Sequence, residues 1–235
     1  MKYDKIVKAK FLDRPNRFIA HVELDGQVET VHVKNTGRCK ELLVPGCKVG
    51  LTFPEMVAER KTPCDLVQVD KETSNGILKV NMDSQAPNKL VEEFLKTDEG
   101  KRLFPGLKTI RKEVVCGESR LDFCLEDEHG LIWIDVKGCT LERDGFCFFP
   151  DAPTIRGTKH LNTLKNLAQS GVRAAVFFVI QMSGMKSISP NRATDPDFSN
   201  ALADAAKAGV RLIGYDCRVT DGAVSIKSPV PVVLA

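Results

Sequence analysis

The segment from residue 119 to residue 138, SRLDFCLEDEHGLIWIDVKG, constrains the fold more than any other part of the chain. Apolar and polar residues alternate along both of its halves, and the Asp127–Gly130 stretch between them is typical of a tight turn. The pattern predicts two antiparallel strands with one apolar face. That face consists of Leu121, Phe123, Leu125, Ile132, Ile134 and Val136. The opposite face carries Arg120, Asp122, Cys124, Trp133, Asp135 and Lys137.

The register of this hairpin places like charges opposite each other. If the turn is centred between Glu128 and His129, Asp122 lies across from Asp135, and Arg120 lies across from Lys137. Facing like charges are destabilising, but a divalent cation such as Mg²⁺ or Mn²⁺ between the two carboxylates would offset the repulsion. Lys137 lies about 7 Å along the strand from Asp135, on the same face. The alternative is a solvent-facing hairpin with surface ion pairs of little energetic weight.

An aspartate followed after a spacer by Asp-X-Lys is also the core pattern of PD-(D/E)XK nuclease-like sites. Asp122, Asp135 and Lys137 match this pattern. A D-X-K triplet alone is a weak signal, and the alternation and register around it are what strengthen it. The sequence therefore makes these three residues candidates for a catalytic site, with Asp122 and Asp135 as metal ligands.

The composition limits the class of protein only broadly. The 235 residues carry a net charge of +3 with a sequence pI near 8.4, which is compatible with nucleic-acid binding and does not argue for it. None of the eight cysteines forms a C-x-x-C pair, so a zinc ribbon is not supported. The charged N-terminal residues do not resemble a secretory signal, and no apolar run reaches the ~20 residues of a membrane span. We expect a cytoplasmic protein with reduced thiols.

The first part of the chain, residues 1–80, is predicted to form a five-stranded OB-like β-barrel. Its predicted elements are three strands, a short helix over Cys39–Leu43, and two more strands, which is the order of an OB-fold. Asn35, Thr36 and Arg38 precede the short helix. They are candidates for phosphate binding at a helix start, and a plain capped turn is the alternative.

Residues 81–235 are predicted to form an α/β sandwich around a mixed sheet. A helix begins at Pro87, and Glu92 and Glu93 flank its apolar stripe; either is a candidate metal ligand or part of a solvated acidic face. A later helix ends near Gln169, with Thr154 or Thr158 as its cap. Its first turns carry Arg156, Lys159 and His160, which predict an anion-binding rim. For His160 the alternative is a hydrogen-bonded helix histidine.

Four segments together resemble the sugar fermentation stimulation protein A family along essentially the whole chain. They are Asn35–Arg38, Ser119–Phe123, Asp135–Leu141 and Phe149–Leu161. The resemblance implies an OB-fold joined to a PD-(D/E)XK nuclease-like domain, DNA binding, and a metal site at Asp122 and Asp135 beside Lys137. It also implies that Glu93, or secondly Glu92, is the helix carboxylate of that site.

Three functions remain open at this point. The first is a Mg²⁺- or Mn²⁺-dependent nuclease that hydrolyses phosphodiester bonds in DNA. The second is a non-catalytic DNA-binding regulator of sugar metabolism genes on a nuclease-like scaffold, and the third is a small-molecule or nucleotide hydrolase with the same metal site. The predicted nucleic-acid contacts are Asn35, Thr36, Arg38, Arg120, Arg156, Lys159 and His160. A homodimer also remains open.

Overall fold

The computed structural model describes residues 1–35, 37–54 and 60–234. Thr36, one of the predicted nucleic-acid contacts, lies outside the described residues. The strands of the first part are β1 (Ile6–Asn16), β2 (Ile19–Leu24), β3 (Gln27–Val33), β4 (Lys48–Thr52), β5 (Asp65–Thr73) and β6 (Gly76–Asn81). Two helices follow, α1 (Ala86–Leu95) and α2 (Asp98–Leu103).

The second part contains the four helices of the described residues and the other six-stranded sheet. Its first strands are β7 (Thr109–Cys116), β8 (Ser119–Asp127), β9 (Gly130–Cys139), β10 (Glu142–Arg143) and β11 (Phe146–Phe149). The remaining elements are α3 (Ile155–Gln169), β12 (Arg173–Ile180), β13 (Ser187–Pro190), α4 (Pro196–Lys207), β14 (Arg211–Thr220) and β15 (Ala223–Pro229). None of the helices within the described ranges is long and apolar enough to cross a bilayer.

The N-terminal strands form the predicted five-strand ring. The strands are ordered β3-β2-β1-β4-β5, a parallel pairing of β3 with β5 closes the ring, and β6 adds to the outer edge of β5. The predicted short helix over Cys39–Leu43 is wrong, because this segment is a single helical turn in which Leu43 N–H bonds to Cys39 O at 2.9 Å. Pro45 lies two residues after Leu43, and so short a segment cannot repay the cost of helix nucleation.

The C-terminal mixed sheet has the strand order β15-β14-β12-β9-β8-β7, in which β9, β12 and β14 run parallel. The central strand β12 is apolar along its length because both of its faces are covered. Phe178 and its even-numbered neighbours belong to the same core as Leu161 of α3, whereas Phe177 belongs to the core that contains Leu90 of α1. β10, β11 and β13 form a separate three-stranded sheet.

The β8–β9 hairpin has the predicted register, with Phe123 opposite Ile134 and Asp127 opposite Gly130. One residue departs from the predicted face: Leu121 belongs to the core on the α3 side, whereas Phe123 belongs to the core on the α1 side. The side chains of β8 therefore change faces close to Asp122, where the regular pairing with β9 ends.

The predicted Arg120–Lys137 pair is wrong. Arg120 pairs with Val115 of β7, and its guanidinium forms an ion pair with Glu113 at 2.9 Å. The like-charge repulsion expected at this position is therefore absent, and Arg120 is turned away from Lys137 towards the outer strand of the sheet.

The two parts of the chain meet at the end of β6. Asn81 N–H bonds to Gln181 O at 2.9 Å, and the next residue, Met82, bonds to Val67 O at 2.7 Å. At its other end the chain also links the parts, because Tyr3 N–H bonds to Gly222 O at 2.8 Å. A division of the chain at residue 80 stays a prediction.

Candidate functional site

Asp122 is held against the strand that carries Asp135 and Lys137. Its Oδ2 accepts a 2.7 Å hydrogen bond from Val136 N, and its Oδ1 accepts one of 2.9 Å from Asn88 Nδ2. Val136 lies between Asp135 and Lys137 in the sequence. The structure therefore brings the three predicted residues of the hairpin to one place, at the end of β8 that lies far from the turn.

Asp135 is the buried centre of this site. Its side chain is 1% exposed; Oδ1 lies 2.7 Å from His160 Nδ1, and Oδ2 lies 2.6 Å from Lys137 Nζ. The contact with Lys137 is an ion pair without hydrogen-bond geometry, so Oδ2 accepts no hydrogen bond from any described residue. Among the described residues the Lys137 ammonium is the close partner of this buried oxygen, and a buried carboxylate held by so few groups is a candidate for a functional role.

The tautomer of His160 follows from its neighbours. Arg156 Nε donates to His160 Nε2 across 3.4 Å, so Nε2 carries the lone pair, and Nδ1–H donates to Asp135. The imidazole is therefore held between Arg156 and Asp135. His160 is 5% exposed, which agrees with the hydrogen-bonded alternative and places it inside the protein instead of on an exposed anion-binding rim.

The protein shifts the pKa values of the two aspartates in opposite directions. Burial and the negative charge of Asp135 raise the pKa of Asp122 above its ordinary range. Burial alone would raise the pKa of Asp135 too, but the charge of Lys137 and the hydrogen bond from His160 hold it below its usual value. Paired carboxylates with separated pKa values are typical of functional sites.

The donor set fits a small, hard cation. Asp122 and Asp135 supply two carboxylates, and Lys137 supplies one ammonium beside them. Mg²⁺ keeps most of its waters and commonly binds through one or two protein carboxylates together with substrate phosphate. Asp122 and Asp135 supply two such ligands, and the Asp135 oxygen without a hydrogen bond is available to a cation.

The predicted helix carboxylates lie elsewhere. Glu93 contacts the amino group of Met1 at 2.5 Å, and Glu92 pairs with Lys96 at 3.1 Å and Lys112 at 2.9 Å. Within residues 1–35, 37–54 and 60–234, no three side chains of the His, Cys, Asp and Glu types are grouped as a metal site. Neither glutamate is therefore brought to Asp122 and Asp135.

Asn88 is the residue of α1 that contacts Asp122, and the sequence analysis missed it. The signal was present, because Asn88 precedes Val91 and Leu95 by three and seven residues and so shares their buried helix face. A polar residue on such a face requires a buried partner, and Asp122 is that partner.

The predicted basic residues are divided between two surfaces. Lys159 is exposed on α3 and pairs with Glu118 at 3.1 Å, and Arg156 is exposed beside the candidate site. Asn35 and Arg38 lie in the loop after β3, where Arg38 N–H donates to Asp151 Oδ2 across 3.1 Å. Asp151 lies in the loop before α3, so a contact between the two parts of the chain connects these surfaces.

Fold and site together define a two-domain protein in which an OB barrel is joined to an α/β domain built around a mixed sheet. Residues 12–78 match the family model "SfsA N-terminal OB domain", and residues 85–223 match "Sugar fermentation stimulation protein RE domain". The chain belongs to the sugar fermentation stimulation protein (SfsA) family.

Individual relatives extend over the full chain. The sugar fermentation stimulation protein homolog of Ruminiclostridium cellulolyticum is 45% identical, with 99% of each chain covered. The homolog of Desulfitobacterium hafniense is 46% identical over 95% of this chain and 94% of the relative. Among solved structures, SfsA of Pyrococcus furiosus in complex with Ca²⁺ matches with a TM-score of 0.84 and 27% identity, covering 99% of this chain and 98% of that one.

Proposed function

We propose that this protein binds DNA and hydrolyses its phosphodiester bonds with a divalent cation at Asp122 and Asp135. The observation that carries the proposal is the buried Asp135 Oδ2, which accepts no hydrogen bond within the described residues and lies 2.6 Å from Lys137 Nζ. A net negative pair of carboxylates beside a lysine suits a cation and a phosphate at the same place. The Ca²⁺ in the Pyrococcus furiosus relative supports an oxygen-liganded cation in this family.

Each residue of the site has a role that follows from its contacts. A bound Mg²⁺ or Mn²⁺ would polarise the scissile phosphate and lower the pKa of an attacking water. Lys137, whose side chain is 12% exposed, presents an ammonium that can orient that water or neutralise a phosphate oxygen. His160 and the Val136 amide fix the orientations of Asp135 and Asp122 through hydrogen bonds of 2.7 Å each.

Exposed cations around the site support nucleic acid as the substrate. Arg156 and Lys159 are exposed on α3, where Arg156 contacts His160 and Lys159 pairs with Glu118, and Arg38 is exposed on the barrel loop. Arginine and lysine contacts to phosphates position a nucleic acid without reading its sequence. We therefore expect binding that weakens steeply with salt and has little sequence preference.

A cleavage assay tests the proposal. Plasmid and labelled single strands are incubated with Mg²⁺, Mn²⁺ or EDTA, using the wild type, Asp135→Asn, Lys137→Ala and the matched control Glu93→Gln. We expect metal-dependent cleavage that falls at least on the order of 100-fold in the first two variants and stays unchanged in Glu93→Gln. Cleavage that survives in Asp135→Asn would reject these roles.

A DNA-binding protein without catalysis is the second candidate, and one observation favours it. The α1 residue that contacts Asp122 is Asn88, a neutral amide, where a carboxylate was expected. This function predicts no cleavage under any metal condition, together with salt-sensitive binding that is the same in the wild type, Asp135→Asn and Lys137→Ala.

A further inference from the structure

We infer that a cleft between the two domains, next to the candidate metal site, binds one unpaired nucleotide of a DNA strand. This inference rests on the proposed function and names the form of the substrate. The cleft has a volume of about 410 Å³ and is lined on the barrel side by Asn35 and Gly37, and on the other side by Gly138, Phe148 and Gln181. Its volume is within the ~300–1,000 Å³ of small-ligand pockets.

The cleft begins beside the catalytic lysine. Gly138 follows Lys137 directly on β9, a step of about 3.3 Å along a strand. A Cβ at position 138 would lie 2.6 Å from Pro87 Cγ and 2.7 Å from Gln181 Oε1. Because position 138 has no side chain, Pro87 and Gln181 can pack directly against β9 at this end of the cleft, one residue from Lys137.

Gln181 supplies a fixed hydrogen-bond acceptor. Its side chain is almost fully buried, and Nε2 donates to Asn81 Oδ1 at 2.8 Å and to Asp83 O at 3.0 Å. Both partners are acceptors, so the amide orientation is determined, and Oε1 is the atom directed towards Gly138. A fixed acceptor of this kind suits the amino or N–H groups on the edge of an unpaired base.

The barrel wall of the cleft is preorganised by Arg14. Its Nη1 donates to Gly37 O at 2.9 Å and Arg38 O at 2.7 Å, and its Nη2 donates to Asn35 O at 2.8 Å. Asp151 Oδ2 holds the same loop from the other domain through Arg38 N–H. Because Asn35, Gly37 and Arg38 are held by these contacts, a ligand has to supply less of the free energy of ordering them.

A basic groove adjoins the cleft, and it is the reason we infer a nucleotide within a strand instead of a free nucleotide. Arg17 and Gly37 line both the cleft and this groove, which also carries the exposed Arg38 and Lys40. Arg17, Arg38 and Lys40 give this groove three cations, which suit the phosphates of a nucleic-acid strand. The cleft is too small for a base pair with its flanking backbone, so a base must be unpaired or extruded to enter.

Binding in EDTA separates this inference from cleavage. We would use a single strand that contains 2-aminopurine, an amino-substituted base whose fluorescence rises when it leaves the base stack, and the same strand in a duplex. The wild type should raise the fluorescence several-fold and bind the single strand at least about tenfold more tightly than Ser84→Leu. Ser84 is exposed on the rim of the cleft, so leucine there blocks the cleft without entering the core.

Gln85→Leu is the matched control, because Gln85 is the next exposed residue and does not line the cleft. It should behave like the wild type, and Gly138→Ala, if folded, should behave like Ser84→Leu. Unchanged affinity and fluorescence in both blocking variants would overturn the inference, as would equally tight binding of a free mononucleotide. If the fluorescence stays silent while metal-dependent cleavage persists, the cleft assignment fails and the nuclease proposal stands. If no nucleic acid binds at all, both fail.

Discussion

Two clusters of aspartate and lysine in this protein differ in how well their charges are satisfied. The interface cluster, where the barrel meets the β14–β15 turn, consists of Lys8, Gln68, Asp70, Lys79 and Asp221. Its two ammonium groups balance its two carboxylates, and Lys8 contacts both aspartates at 2.8 to 3.0 Å. Hydrogen bonds from Lys79 and Lys8 lower the pKa of Asp221.

In the candidate site, the ammonium and carboxylate groups are not matched in number. Asp122 and Asp135 face a single ammonium, the pKa of Asp122 is raised, and one Asp135 oxygen accepts no hydrogen bond within the described residues. A fully satisfied network rigidifies a fold, whereas a partly satisfied one stores a cost that a ligand can relieve. The difference indicates that the interface cluster joins the domains, and it supports the proposal that the hairpin cluster binds a cation and a substrate phosphate.

The largest expected effect is on cation binding. Trp133 is the only tryptophan of the chain and lies two residues before Asp135 on the same strand face. Tb³⁺ held at Asp122 and Asp135 should therefore emit when Trp133 is excited. Asp135→Asn should weaken the Tb³⁺ affinity at least ~100-fold, and Asp221→Asn should leave it unchanged. Equal emission from both variants would remove the distinction between the clusters.

A smaller effect is expected from the histidine that orients Asp135. Outer partners of metal ligands typically contribute ~10–100-fold to metal affinity, so His160→Phe should weaken Tb³⁺ binding within that range. His160→Asn places an amide nitrogen near the former Nδ1 and should restore most of the affinity. If both variants lose the same affinity, His160 acts through packing and not through its 2.7 Å bond to Asp135.

The stability effects of the two clusters should have opposite signs. Asp70→Asn leaves two lysines under-compensated at a site where Asp70 is 9% exposed, and we expect a loss of about 1–3 kcal/mol in the free energy of unfolding. Asp122→Asn removes a carboxylate whose ionisation is disfavoured by burial and Asp135, so we expect a gain of about 0.5–2 kcal/mol at pH 7. Urea unfolding of both variants measures this contrast, and destabilisation by Asp122→Asn would contradict it.

Much of the hairpin could be predicted because strand periodicity and turn chemistry are local properties. The register that brings Asp122 near Asp135 follows from the alternation and the Asp127–Gly130 turn, and Phe123 does pair with Ile134. The face of Leu121, the burial of His160 and the contact of Asn88 with Asp122 depend on which helix covers which side of the sheet. That information is tertiary, and a single sequence pattern does not contain it.

Glu93 is another residue whose position could not be predicted from the local sequence pattern. A glutamate that flanks the apolar stripe of α1 is equally compatible with a metal site and with solvent. Its position is decided by the Met1 amino group, which packs beside β15 and contacts Glu93 at 2.5 Å. Residues 92 positions apart in the chain are brought together there, and no local rule relates them.

The smallest expected effect is a pH dependence of stability at the turn end of the same hairpin. There, both carboxylate oxygens of Asp127 accept hydrogen bonds. Arg173 donates hydrogen bonds to both oxygens of Asp127, and this lowers the pKa of Asp127 to about 2. The unfolded value is about 3.9, so the native state favours the ionised form. The resulting stability is fully present above pH ~4 and is lost as the pH falls towards 2. The difference in unfolding free energy between the wild type and Asp127→Asn should therefore shrink from pH 6 to pH 3.

Glu128→Gln, a change at an exposed neighbour, is the control and should show no such trend. If the difference for Asp127→Asn is constant with pH, the Arg173 pair does not link this turn to acid stability.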